Sequence, residues 1–232
     1  MAKISNVFGD VHIYPSLISA DLLALGEVIT LLDDHCDGYH IDIMDDHFVP
    51  NLTWGAAMTN AIAKKTKRNV HIHLIVDNPQ KWLGRLELKS TDFFIFHYES
   101  CTSEQEIYSL IDELKKKQWR IGIAIKPETP INKIDCFLKM IDQALIMSVE
   151  PGFSGQRFIE SVLDKIKSLA HLRALHNNSF SIAIDGGVNS SNIAQLARLG
   201  VTEFIAAAAI FSTGSMIDNL DELYRLAGEG SK

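Results

Sequence analysis

The sequence predicts an α/β fold of the (β/α)8 barrel type, and three observations support this prediction. Eight short apolar segments recur with starts about 23 to 36 residues apart, the length of one strand–helix unit. Segments of helical periodicity lie between them, and eight parallel strands favour closure into a barrel. The alternative, an open doubly wound sheet, usually has a glycine-rich turn after its first strand, and residues 15–21 contain no glycine. The predicted strands are residues 13–19, 39–44, 70–76, 93–98, 120–126, 144–149, 180–185 and 203–210.

The predicted helices carry start and stop signals. Ser103 with Glu106 forms a capping box ahead of one helix. Thr129 followed by Pro130 indicates an N-cap and first helical position, and Gly200 indicates a helix end. Apolar residues with helical spacing lie at positions 107, 110, 111 and 114 and at positions 159, 162, 163, 166 and 169.

Length and composition restrict the class of protein. The 232 residues, 47% of them hydrophobic, suffice for one sizeable core, so we expect a single barrel domain over residues 1–232. We expect neither a signal peptide nor a membrane span, because no basic segment precedes a long apolar run. Three widely spaced cysteines without a Cys-x-x-Cys pair indicate reduced thiols in a cytoplasmic protein. The net charge of -7 argues against a nucleic-acid partner, but backbone amides could still bind a phosphorylated small molecule.

Unusual polar side chains fall on three predicted strands. His40 and Asp42 share one face of the second strand, His73 lies on the third, and Asp185 ends the seventh. Barrel enzymes place their chemistry at the C-terminal ends of the strands. Two imidazole nitrogens with two carboxylates suit Zn²⁺, Fe²⁺, Mn²⁺ or Co²⁺, although a hydrogen-bonded core histidine is the alternative for each imidazole. Two further strand histidines are interpreted as structural: His71 and His97.

Two glycine-bearing loops follow the sixth and seventh strands. Gly186 and Gly187 would let backbone N–H groups approach a phosphate, and residues 152–155 supply a second such loop. Either loop alone could be an ordinary turn. Their position at adjacent strand ends favours an anion site.

Eight short motifs cover nearly the whole chain, from Tyr14 to Phe211. They are PSLISAD (15–21), HIDIMD (40–45), FVPNLT (48–53), HL (73–74), PETP (127–130), PGFSGQ (151–156), DGG (185–187) and AIF (209–211). In this order and spacing they resemble the motifs of the ribulose-phosphate 3-epimerase family. The resemblance implies a barrel of the ribulose-phosphate-binding type, an isomerase of the EC 5.1.3 class in the pentose phosphate pathway, and a homo-oligomer.

Carried over residue by residue, the resemblance also implies the site. Asp42 and Asp185 would be the acid/base pair, and Ser16 and His73 would contact the sugar-phosphate substrate. The divalent metal would be held by His40, Asp42, His73 and Asp185. The phosphate would be surrounded by Gly152, Phe153, Ser154, Gly155, Gly186, Gly187, Ala207 and Ala208.

These residue types suit the implied reaction, the interconversion of D-ribulose 5-phosphate and D-xylulose 5-phosphate. Epimerisation beside a ketone removes a proton from one face of a carbon and returns a proton to the other, which requires two acid/base groups. Asp42 and Asp185, on strands two and seven, can flank the substrate. A divalent cation can stabilise the enediolate as a Lewis acid.

The chain departs from the family pattern at several positions. Ala207 and Ala208 replace a usual Gly-Ser pair, which adds a Cβ and removes a hydroxyl near the phosphate. Glu150 replaces a usual asparagine and adds negative charge there. Lys126 also replaces an asparagine, and we expect its stem to extend to water. The other two departures are Asp46 for glycine, which a turn with positive φ tolerates, and Ile75 for methionine.

Three other functions remain open. The changes near the phosphate are compatible with 3-epimerisation of a hexulose 6-phosphate such as allulose 6-phosphate. A decarboxylase or aldolase would need a lysine near the second strand or a Schiff-base lysine, for which Lys126 is the candidate. A non-catalytic sugar-phosphate-binding barrel would not need both Asp42 and Asp185.

Overall fold

The computed structural model describes residues 11–176 and 179–231. Its strands are β1 (His12–Pro15), β2 (Gly38–Met44), β3 (Asn69–Ile75), β4 (Phe93–His97), β5 (Arg120–Ile125), β6 (Gln143–Met147), β7 (Ser181–Asp185) and β8 (Glu203–Ala206). Its α-helices are α1 (Leu25–Leu32), α2 (Ala56–Lys65), α3 (Glu104–Lys116), α4 (Leu163–Leu175), α5 (Ile193–Arg198), α6 (Ala208–Phe211) and α7 (Met216–Gly230). Short 3₁₀ helices replace α-helices after β3 (Pro79–Trp82) and β5 (Ile131–Lys133 and Asp135–Phe137).

The eight strands form a (β/α)8 barrel, as the sequence predicts. Each strand pairs in parallel with its neighbour in the sequence from β2 to β8, and β8 pairs with β1. A parallel bridge between Ser16 and His40 joins the end of β1 to β2. An open doubly wound sheet would reverse its strand order midway, so this alternative is wrong.

Two apolar layers hold the barrel together. The larger one lies between the outer face of the strands and the surrounding helices, and includes Leu110, Ile111 and Leu114 of α3. The smaller one fills the interior of the barrel. Its members are Tyr14, Phe93, Ile95, Ala124, Leu145, Met147, Val149, Ala183 and Ile205. Because alternate residues of a strand face the interior, the same pattern directs His40, Asp42 and His73 inward.

Some predicted boundaries are wrong. The first strand ends at Pro15, and Leu17–Ser19 forms a 3₁₀ helix. The eighth strand ends at Ala206, because the apolar residues that follow it form α6. These errors have one cause, which is that a short apolar run does not distinguish a strand from a buried helical turn.

The helix signals have different outcomes. Ser103 is the N-cap of α3, and its Oγ accepts a hydrogen bond from the Glu106 N–H at 3.3 Å, which confirms this half of the capping box. The Glu106 carboxylate accepts from the Thr102 N–H at 2.7 Å, one residue before the position that a capping box uses. No α-helix begins at Pro130, which is itself the N-cap of a 3₁₀ turn. The Thr129 hydroxyl instead donates to the carboxylate of Glu99. In the described ranges, no helix combines the length and apolar character needed to cross a membrane.

Candidate active site

Four side chains meet at the C-terminal end of the barrel interior. His40 and Asp42 project from β2, the neighbouring His73 from β3, and Asp185 from the end of β7. One ligand atom from each lies within 4.8 Å of the others. The sequence predicts this set, and the fold brings all four members together.

The distances within the cluster suit a small cation. His40 Nε2, Asp42 Oδ1 and His73 Nδ1 lie 3.1 Å from one another. Asp185 Oδ2 lies 3.5 Å from His40 Nε2 and 3.4 Å from His73 Nδ1. The sixth pair, the oxygens of Asp42 and Asp185, lies within 4.8 Å. Two tetrahedral ligands that each lie about 2.0 Å from a zinc ion are about 3.3 Å apart, close to the five shorter distances. The donor set therefore fits a divalent metal.

The charges of the cluster follow from burial and pairing. Burial alone would lower the pKa of His40, but Asp42 and Asp185 outweigh it and raise that pKa to about 10. Burial would raise the pKa of both carboxyls, yet the neighbouring imidazoles lower the pKa of Asp42 and of Asp185. Two ionised carboxylates in a buried place require positive charge, which either an imidazolium or a divalent cation provides.

Further polar groups contact the cluster from two sides. Ser16 Oγ donates a hydrogen bond to Asp42 Oδ2 at 2.8 Å. On the side of His73 away from the cluster, His73 Nε2 lies 2.9 Å from His97 Nε2. His97 Nδ1 in turn lies 3.2 Å from Glu99 Oε2. Burial lowers the pKa of His97 to about 4. Burial would raise the pKa of Glu99, but hydrogen bonds from His97 and Thr129 lower it to about 2.

A cavity of about 520 Å³ opens directly above the cluster. Asp42 and Asp185 are part of its wall, whereas His40 and His73 are fully buried behind them. The predicted substrate contact of His73 therefore stays a prediction, since this side chain lies beneath the wall. The other predicted site residues that line the cavity are Ser16, Gly152, Phe153, Ser154, Gly155, Gly186, Gly187, Ala207 and Ala208. The apolar part of the wall includes Met44, Ile75 and Met147.

The loop after β7 needs its two glycines. Gly186 has a φ of 110° and Gly187 a φ of 64°. A Cβ on Gly186 would lie 2.3 Å from Val149 Cγ2, and one on Gly187 would lie 2.8 Å from the Phe158 nitrogen. The backbone of this loop thus approaches its neighbours more closely than any other residue type permits.

Three asparagine side chains that the sequence analysis does not name as site residues hydrogen-bond to the two glycine-bearing loops. The amides of Asn189 and Asn192 each donate to the Gly187 carbonyl at 2.9 Å. Asn51, in the loop after β2, donates to the Gly152 carbonyl at 2.6 Å. Asn51 lies in a motif that the sequence analysis quotes, but its partner 101 residues away carries no local signal.

The departures from the family pattern lie in different places relative to the cavity. Asp46 has a φ of 60°, so aspartate supports the turn in place of glycine. Lys126 does not line the cavity, and its Nζ lies 4.1 Å from the centre of the Phe48 ring. Glu150 does line the cavity, together with Ala207 and Ala208.

Comparison with known proteins identifies relatives along nearly the whole chain. The family model described as the ribulose-phosphate 3 epimerase family matches residues 12–211. A ribulose-phosphate 3-epimerase of Treponema pallidum is 34% identical over 199 residues, which cover 85% of this chain and 90% of the relative. The enzyme of that name from Bacillus subtilis is 30% identical over 215 residues, with coverage of 92% and 98%.

Solved structures support the fold and the sequence relatives support the family. KGPDC from Streptococcus mutans superposes with a TM-score of 0.66 at 13% identity, covering 94% of this chain and 97% of that one. The 3-hexulose-6-phosphate synthase from Salmonella typhimurium gives a TM-score of 0.63 at 16% identity, covering 94% and 98%. At such low identity these two likenesses concern the barrel alone. The sequence matches go further: the chain belongs to the ribulose-phosphate 3-epimerase family and is an isomerase.

Proposed function

We propose that this protein is a metal-dependent 3-epimerase that interconverts D-ribulose 5-phosphate and D-xylulose 5-phosphate. The observation that carries the proposal is the convergence of Asp42 and Asp185 on the cavity wall, directly above two buried imidazoles. Two carboxylates from different strands supply the pair of acid/base groups that inversion at a carbon requires. A protein that only binds a sugar phosphate has no need of both.

The proposed metal ligands are His40 Nε2, Asp42, His73 Nδ1 and Asp185. Their mixed nitrogen and oxygen donors suit zinc, ferrous iron, manganese or cobalt. A divalent ion bound there supplies positive charge beside the ketone oxygen, which favours removal of a proton from the adjacent carbon. His40 Nε2 lies 3.1 Å from Asp42 Oδ1 and 3.5 Å from Asp185 Oδ2, so this buried imidazole holds both carboxylates in place.

The proposed proton transfers use one aspartate on each side of the substrate C3. One carboxylate takes the C3 proton and the electron pair of the C–H bond enters the enediolate. The other aspartate, which must hold a proton when the reaction starts in that direction, gives this proton to the opposite face of C3, and the ketone reforms. The roles reverse in the opposite direction, so Asp42 and Asp185 should titrate as a coupled pair. The Ser16 hydroxyl, 2.8 Å from Asp42 Oδ2, orients one member of the pair.

The proposed phosphate site lies in the part of the cavity formed by the loops after β6 and β7. These two loops line it, and they carry Gly152, Gly155, Gly186 and Gly187. All four glycines have positive φ. Consecutive backbone N–H groups in such conformations form concavities that bind anions. Ala207 and Ala208 add no hydroxyl, so the phosphate would depend on backbone N–H groups and on other lining side chains such as Ser154 and Arg157.

The primary test is isotope exchange in D₂O. Incubation with D-ribulose 5-phosphate should place deuterium at C3 and produce D-xylulose 5-phosphate. Asp42→Asn should abolish exchange while the protein stays folded. The matched control is Asp92→Asn, because Asp92 is a buried carboxyl at the opposite end of the barrel, bonded to the N–H groups of Val70 and Lys89. If the wild type catalyses no exchange with any of the ketose phosphates tested, the epimerase proposal is wrong.

A hexulose 6-phosphate is the second candidate substrate. It is favoured by Ala207, Ala208 and Glu150, which alter the cavity where the family binds phosphate. Parallel exchange assays with ribulose 5-phosphate and allulose 6-phosphate distinguish the two, and the larger kcat/KM decides. The aldolase alternative is disfavoured because Lys126 packs on Phe48 outside the cavity. Borohydride trapping of a substrate on Lys126 would restore it.

The same proposal includes a cytoplasmic homo-oligomer that acts on a small sugar phosphate and has no nucleic-acid partner. The net charge of -7 supports the absence of a nucleic-acid partner, and the three free cysteines support the cytoplasmic location. The homo-oligomer rests on the family resemblance alone. Light scattering measures the oligomeric state directly.

A further inference from the structure

A chain of three side chains extends from the proposed metal site toward the loop after β5. His73 presents Nδ1 to the cluster and Nε2 to His97, whose Nδ1 in turn faces Glu99. His97 is the last residue of β4, and Glu99 lies in the 3₁₀ helix that follows (Tyr98–Ser100). Neither residue is among the four proposed ligands, and the proton transfers do not use them.

The contact between the two histidines is an in-plane hydrogen bond. Their ring centres are 5.0 Å apart and the ring planes differ by 19°. A nitrogen–nitrogen distance of 2.9 Å is then too short for rings packed face to face, so the rings meet edge to edge. One of these two nitrogens carries the shared proton and the other accepts it.

Glu99 determines whether His73 Nε2 or His97 Nε2 carries the proton of this hydrogen bond. Its Oε1 accepts hydrogen bonds from the Lys126 N–H at 2.9 Å and from the Thr129 hydroxyl, so the group acts as an acceptor. Its Oε2 faces His97 Nδ1 at 3.2 Å, and this nitrogen must then carry a proton. A neutral His97 consequently accepts at Nε2, His73 donates from Nε2, and His73 Nδ1 keeps a free electron pair.

We propose that Glu99 and His97 are positioning residues that fix the tautomer of His73, so that its Nδ1 is available to a divalent metal. The proposal rests on the proposed metal site and adds to it the group that prepares one ligand. Hydrogen-bond partners behind a metal-binding histidine typically change metal affinity by about 10- to 100-fold when they are removed.

Glu99→Gln is the sharpest test, because the amide reverses the chain of donors without changing its shape. The Lys126 N–H and the Thr129 hydroxyl keep the amide oxygen on their side, which turns the amide NH₂ toward His97 Nδ1. His97 must then carry its proton on Nε2, and His73 must carry its own on Nδ1, the ligand atom. We expect zinc affinity to fall about 10- to 100-fold in a chelator competition titration.

A second readout follows the tautomer itself. Two-bond ¹H–¹⁵N correlation spectra distinguish a protonated Nδ1 from a protonated Nε2. In the metal-free wild type His73 should be protonated at Nε2, and in metal-free Glu99→Gln it should be protonated at Nδ1. A residue with a merely structural role would not change this signature.

The matched control is Glu203→Gln. Glu203 is also a buried glutamate inside the barrel, but it contacts Gln143 and lies 3.9 Å from His71, away from the cluster. The zinc affinity of the Glu203→Gln variant should stay within about twofold of the wild-type affinity. Equal zinc affinity in wild type and Glu99→Gln would overturn the proposal, as would an unchanged His73 tautomer. A wild type that binds no zinc would remove the metal site and the positioning role together.

A pair of substitutions at His97 covers the case in which Glu99→Gln does not fold. The carbonyl of His97→Gln can still accept from His73 Nε2, whereas His97→Phe keeps the bulk and loses the acceptor. We expect the glutamine variant to bind zinc more tightly than the phenylalanine variant, with similar unfolding midpoints. The opposite order would overturn the proposal.

Discussion

Gly186→Ala should destabilise the protein more than a comparable change at Gly155. Both glycines have positive φ, 110° at Gly186 and 76° at Gly155. A new Cβ at Gly155 meets no atom within 4 Å. At Gly186 it would lie 2.3, 2.8 and 3.0 Å from Cγ2, Cγ1 and Cβ of Val149. The two variants therefore share backbone strain, and only Gly186→Ala adds steric overlap.

The two contributions can be sized separately. A non-glycine residue in a sparsely populated φ region costs about 1–3 kcal/mol. Overpacking by one buried methyl group costs a further ~1–3 kcal/mol. Gly186→Ala should therefore lower the free energy of unfolding by about 2–6 kcal/mol and Gly155→Ala by about 1–3 kcal/mol. For a chain of this size 1 kcal/mol shifts the Tm by roughly 2–4 °C, so the difference is measurable.

A double-mutant cycle with Val149→Ala isolates the overlap. Removal of the two Val149 methyl carbons gives the new Cβ space, so Val149→Ala with Gly186→Ala should lose less stability than the sum of the single variants. The expected coupling is about 1–3 kcal/mol, measured by urea unfolding. The reasoning is refuted if the two costs add, or if Gly186→Ala is no worse than Gly155→Ala.

Three other outcomes are expected. Glu150→Asn should lower the KM for a sugar phosphate by about two- to tenfold in steady-state assays, since it removes a negative charge from the cavity wall; an unchanged KM would contradict this. Native thiol labelling at about pH 8 should modify the exposed Cys136 first and Cys101 slowly, and should leave Cys36 intact, because burial raises the pKa of Cys101 to about 11 and that of Cys36 to about 12. The pKa of Asp37 is lowered, as hydrogen bonds outweigh burial, so its stabilisation is present above its unfolded pKa and lost as the pH falls through its folded pKa. Urea unfolding should thus show wild type and Asp37→Asn converging from about pH 7 to about pH 3, and a constant gap would count against it.

The sequence predicts the barrel well because its strands are buried on both faces. Such strands appear as continuous apolar segments, and all eight observed strands overlap a predicted one. The wrong boundaries fall where an apolar run continues beyond the strand, after Pro15 and after Ala206. Thr129 fails as a helix start because its hydroxyl bonds to Glu99, 30 residues away. Local signals do not reveal that a side chain is already engaged elsewhere.

The site is predicted as far as alternation along single strands allows. The spacing of His40 and Asp42 places both inside the barrel, and the order of the strands brings His73 beside Asp42. The partners behind this cluster are less accessible, because they depend on which nitrogen of each ring faces which neighbour. His97 is interpreted from the sequence as structural, yet it lies 2.9 Å from His73.

The two histidines of β3 illustrate why residue type and pattern alone do not determine function. His71 and His73 are two positions apart on the same inward face, and both are fully buried. His71 has the ring of Tyr14 at 3.6 Å and Glu203 at 3.9 Å. Burial lowers the pKa of His71 and raises that of Glu203, so burial disfavours the charged form of both groups. One layer higher, the shorter contacts of His40 with Asp42 and Asp185, at 3.1 and 3.5 Å, keep the cluster around His73 charged. A buried pair remains ionised only when close partners offset the cost of leaving water, and carboxylates that stay ionised offer negatively charged ligands to a metal ion. The number and distance of the carboxylates, which tertiary structure sets, thus separate the functional layer from the structural one.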